Sequence, residues 1–206
     1  NGTYDISTVL FITAFFSFYL MLLVGNSILS LKNEKLEQIL LLRIGKYAVS
    51  ISELFFIFFL SLLVIMMNYG MPMIVNSIED GCFIKQHISM QNNLCLLIII
   101  WLSGITGGVI GDFFHSNIIK DRRMVVLITM LIAVLTISKE AIVGQIQCTR
   151  YIFFMLPPLN EIVLCINSTS GLIVFRECCF FILKMVAYVF IVFNLKCFIL
   201  NKKLYD

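Results

Sequence analysis

Apolar residues run along this chain in long blocks, and the charged residues collect in the stretches between them. Five blocks reach the roughly 20 apolar residues that a helix needs to cross hydrocarbon. They run from about Ser7 to Leu29, Val49 to Asn68, Leu94 to Phe113, Met124 to Val143 and Phe180 to Leu200. None alternates polar with apolar as a membrane β-strand would. Inside a bilayer each backbone amide must find its partner within the protein, so continuous apolar blocks are helices. The pattern therefore predicts an all-α, polytopic transmembrane helix bundle forming one domain over residues 1–206.

Composition agrees. Of 206 residues, 60% are hydrophobic and 13% charged, with a mean hydropathy of +1.00. Soluble domains carry about 45–50% apolar and about 25% charged residues. The net charge of +3 is too small to indicate nucleic acid.

The basic residues orient the spans, because lysine and arginine accumulate on the cytoplasmic side. Lys32, Lys35, Arg43 and Lys46 follow the first span, Lys120, Arg122 and Arg123 the third, and Lys196, Lys202 and Lys203 close the chain. With alternating spans these fall together, leaving Lys85, Lys139, Arg150, Arg176 and Lys184 opposite. The expected C-terminus is cytoplasmic and the first residue of the given sequence external. That start, Asn1-Gly2-Thr3, is accounted for by a preceding span, six in the full protein, or by a cleaved signal peptide.

Between the first two spans, Asn33 to Tyr47 reads NEKLEQILLLRIGKY. Leu36, Leu40 and Ile44 recur at helical spacing among the charged Glu34, Lys35, Glu37 and Arg43. Asn33 suits an N-cap, and Glu34 and Glu37 suit a first helical turn. Such a helix lies in the membrane interface, either as a solvated linker or as a docking element for a cytoplasmic partner.

Within the third span, Gly104, Gly107, Gly108 and Gly111 allow close helix approach, as ordinary packing or as a hinge. Asp112, near the cytoplasmic end, is expected to face water or the neighbouring basic turn. Glu53 is expected beside the interface in the first turn of its span, where the helix dipole favours a carboxylate. Lys184 is expected in the outer leaflet with no need of a buried partner.

Chemistry-bearing motifs are missing from the sequence. His87 and His115 fall on opposite sides, and neither H-E-x-x-H, Gly-x-Ser-x-Gly nor a phosphate-binding loop occurs. The seven cysteines form no C-x-x-C pair. They read as free thiols or, alternatively, as a disulfide from Cys82 to Cys148 or Cys165. No acids converge at mid-membrane depth by this reading, which argues against an intramembrane enzyme.

The order of parts resembles the ABC-type-2 permeases, the membrane subunits of ATP-binding-cassette exporters. Leu36-Glu37-Gln38-Ile39-Leu40 is similar to the family's LE-x-LL stretch, and Arg43-Ile44-Gly45-Lys46-Tyr47 stands where its Pro-x-Ser-Arg turn falls. The proline and the serine are replaced, and Glu53 stands where lysine is frequent. Pro157-Pro158, before the last span, resembles the family's outer segment, here 144–178, whose short helices dip back into the membrane.

The resemblance implies a multi-pass permease in a bacterial cell membrane. Its coupling helix, 33–47, would dock an ATP-binding-cassette ATPase through Glu34, Glu37, Leu40, Arg43 and Lys46. A second permease subunit, identical or different, would complete the transporter. The chain itself would hold no cofactor, with ATP and Mg on the partner subunit. A peptide of the bacteriocin or lantibiotic kind, a lipid or a drug are the implied cargoes. A membrane accessory or scaffold subunit is the alternative without transport.

Overall fold

A computed structural model describes residues 6–29, 43–78, 90–114, 122–145, 156–165 and 175–203. The expected coupling residues Glu34, Glu37 and Leu40 and most of the outer segment lie outside these. Every described element is helical. Helix α1 is Ile6–Leu29, α2 Lys46–Ile65, α3 Met71–Ile78, α4 Met90–Phe113, α5 Arg122–Gln145 and α6 Phe175–Lys203. A π-helical turn, Met66–Gly70, joins α2 to α3, and a 3-10 helix, Leu159–Cys165, precedes α6.

Four helical stretches are long and apolar enough to cross a membrane: Thr8–Ser27, Tyr47–Ile74, Asn93–Phe113 and Arg176–Ile199. The protein is thus a helical bundle built for a bilayer. Helix α5 adds a further long rod of 24 residues against it.

Chain breaks follow residue chemistry. Gly45 adopts φ 88°, a backbone conformation that costs glycine little, and α2 starts at the next residue. At the other end of α2 the sequence suggests a stop near Asn68, ahead of Gly70 and Pro72. The rod instead continues to Ile78. Proline lacks an N–H and crowds the carbonyl four residues back. The π-turn loosens the ladder at that point, and the Met71 N–H donates to the Met66 carbonyl five residues earlier.

Helix α4 is the axis of the bundle: 67% of its apolar window is buried, against 17% for α6. It runs parallel to α1, and the two approach at backbone contact. A Cβ on Gly107, Gly111 or Gly25 would fall within 3.0 Å of the carbonyl oxygens of Phe18, Leu22 and Gly108 respectively. One on Gly108 would strike Ile57 of α2, whereas Gly104 has ordinary van der Waals room. Close approach of this kind replaces the hydrophobic driving force that lipid does not supply.

Polar bridges fasten the same surfaces. The Ser103 hydroxyl lies 2.9 Å from the Ala14 carbonyl of α1. Trp101 Nε1 donates to Ser61 Oγ at 2.9 Å, and its ring meets Phe58 edge-on. Tyr69 donates to Asn93 Oδ1 at 2.6 Å. Facing away from these contacts, Phe55, Phe59 and Leu63 on α2 and Leu183, Phe190 and Phe198 on α6 are exposed, as suits an acyl-chain solvent.

Candidate functional site

The buried face of α2 is a stripe at helical spacing, Ser50, Glu53, Ile57, Ser61 and Ile65, that Tyr69 continues into the π-turn. Glu53 faces α4 because it shares that stripe. On α6, Cys178, Phe181, Met185 and Lys196 lie along one buried face. Lys196 therefore points inward. Asp112 ends the glycine-rich face of α4, close to where α1 and α4 touch.

These three stripes converge. Lys196 Nζ donates to Glu53 Oε2 at 2.6 Å and to Asp112 Oδ2. All three side chains are buried. One ammonium thus joins two carboxylates from two other helices, at the end of the bundle where α2 begins and α4 ends. Glu53 lies about 9 Å along the rod from Tyr47, the first residue of that span.

Two expectations need correction. Asp112 does not face water or the basic turn; it is buried against α6. Glu53 is no interfacial carboxylate stabilised by the dipole alone, because it is buried against an ammonium. Lys196, grouped with the basic residues that close the chain, is buried and paired within the span Arg176–Ile199. A count of lysines and arginines gives a side of the membrane and says nothing of the helix face a residue occupies.

A buried ion is expensive, and removing its partner costs about 3–5 kcal/mol. With three members on three spans, the cluster ties the ends of α2, α4 and α6 into one unit. Its chemistry is that of an electrostatic clasp. Both carboxylates are engaged by the lysine. One turn before Glu53, the buried Ser50 hydroxyl has no hydrogen-bond partner among the described residues.

The sequence-predicted residues fall elsewhere. Arg43 and Ile44 are helical and exposed just ahead of Gly45, and Lys46 opens α2. Gly107, Gly108 and Gly111 sit in the tight contacts with α1 and α2 described above. Cys82 and Cys148 lie outside the described residues, while Cys95, Cys178, Cys179 and Cys197 form no disulfide among the described residues. Among the described residues no group of histidine, cysteine and acidic side chains is placed to hold a metal ion.

At the opposite end, α6 begins at Phe175, well before the expected Phe180, so Arg176, Glu177 and Lys184 all belong to its first turns. Lys184 is exposed and pairs with Glu161 of the 3-10 helix. These side chains, with Phe180 and Phe181, line an open pocket of about 210 Å³.

Comparison with protein-family models, curated proteins and solved structures gives no match.

Proposed function

We propose that this chain is the transmembrane permease subunit of an ATP-binding-cassette exporter, with five spans in the given sequence and a cytoplasmic C-terminus in a bacterial cell membrane. It moves a peptide or other amphiphile, using ATP hydrolysed by a separate subunit, and pairs with a second permease.

The observation that carries this reading is the position of the Glu53–Lys196–Asp112 clasp relative to the Gly45 break. A motor docked on the segment ahead of Gly45 pulls first on Lys46 and the opening turns of α2. Glu53 lies two turns further along the same rod. Through Lys196 the pull reaches α6, and through Asp112 it reaches α4, the axis of the bundle. A single force at one membrane face thereby tilts three spans. The Gly45 break lets the docked segment keep its own axis while α2 keeps another. Ordinary apolar contacts would slip under such a load, since lipid replaces them at little cost.

Copurification tests the class. A nucleotide-binding subunit should accompany the tagged wild-type chain and be lost on Glu37→Lys or Arg43→Glu. It should be kept on Lys196→Met, which acts behind the docking surface. Retention of that subunit after both reversals would remove the coupling assignment.

A further inference from the structure

We propose that the pocket at the start of α6 binds a zwitterionic phospholipid headgroup, a phosphate ester carrying an ammonium. The inference rests on the membrane-spanning character of α6 and not on the exporter reading.

The pocket is placed for a lipid. Arg176 is the first residue of an apolar span, so the pocket opens at the boundary between hydrocarbon and water, at the end of the bundle away from the clasp. Phe180, on the pocket wall, and Leu183, beside it, are both exposed. Acyl chains attached to a bound headgroup would lie along them. At about 210 Å³ the pocket is smaller than the roughly 300–1,000 Å³ of sites that enclose a drug-sized molecule. It takes a polar group of a few atoms and leaves the remainder of its owner outside.

The lining chooses the charge type. Arg176 and Lys184 are cationic, Glu161 and Glu177 anionic, so the four cancel. Lys184 and Glu161 already satisfy one another across two elements and form a braced wall. Arg176 and Glu177 are adjacent and exposed at the mouth. A guanidinium takes phosphate oxygens through parallel N–H groups. The neighbouring carboxylate, together with the Phe180 ring, receives the ammonium that follows the phosphate. A purely anionic headgroup would leave Glu177 facing like charge, and a purely cationic one would do the same to Arg176.

The test is native mass spectrometry of the protein released from nanodiscs holding equal phosphatidylethanolamine and phosphatidylglycerol. Wild type should retain the ethanolamine lipid with roughly ten-fold enrichment, the value of one charge-assisted hydrogen bond. Arg176→Gln should abolish the enrichment. Glu177→Gln, which leaves the pocket with an excess cation, should invert it toward the glycerol lipid. That inversion is an outcome that misfolding cannot imitate. Phe198→Ala, exposed at the far end of α6, should leave the wild-type ratio unchanged. Free phosphoethanolamine that fails to displace the retained lipid would identify the lipid as the ligand, and full displacement would assign the site to the soluble zwitterion instead. Equal retention of both lipids by wild type, or an unchanged ratio in Glu177→Gln, would overturn the proposal.

Discussion

Lys196 and Glu53 are separated by 143 positions in the chain, yet their charged atoms lie 2.6 Å apart in the interior of the bundle. With Asp112 on the same ammonium, the arrangement is lopsided: one cation serves two anions. The three members are therefore not equivalent, and substitutions should rank accordingly.

Lys196→Met removes the ammonium that the two buried carboxylates share. It should lower stability by about 3–5 kcal/mol in detergent. Glu53→Gln or Asp112→Asn leaves one intact pair and should cost clearly less. The triple variant Glu53→Gln, Asp112→Asn, Lys196→Met should recover most of the loss, since no charge remains buried. Thermal unfolding of the four proteins checks the order.

Two serines on the buried stripe of α2 should behave in opposite ways. Ser61 accepts the indole N–H of Trp101, so Ser61→Ala leaves a part-buried donor unpaired at about 1–3 kcal/mol. Ser50 has a buried hydroxyl without a partner among the described residues, so Ser50→Ala should be neutral or stabilising. Trp101 is the single tryptophan of the chain, and its fluorescence reports the Ser61 change directly.

The glycines should also separate. Gly107→Ala and Gly111→Ala each drive a methyl into a carbonyl of α1 and should cost about 1–3 kcal/mol, with loss of α1–α4 association. Gly104→Ala meets only ordinary contacts and should be tolerated. Gly144, whose added Cβ meets nothing within 4 Å, is the control. Unfolding in detergent and crosslinking between α1 and α4 read both effects.

Much of the bundle is legible in the sequence. Apolar blocks set the helices because hydrocarbon permits little else, and predicted limits at Leu29 and Phe113 coincide with the observed ends. The continuation of α2 past Asn68 was not legible, because Gly70 and Pro72 normally stop a helix and only a π-turn absorbs them. The clasp was missed for a different reason. Lysine counting gives a side of the membrane but no helix face, and it groups Lys196 with the basic residues that close the chain. A signal was present nonetheless: Lys196 keeps helical register with Met185 and Phe181, and Glu53 with Ile57 and Ser61. What register could not supply is which three faces meet.

The exporter account stands on the side of the membrane occupied by Arg43, Ile44 and Gly45, where a motor must reach α2. Ile44 is exposed, so Ile44→Cys, in a chain whose native cysteines are replaced, accepts a membrane-impermeant maleimide wherever it meets water. The account predicts no labelling of intact cells and strong labelling once they are permeabilised. Labelling of intact cells at the permeabilised level would contradict it.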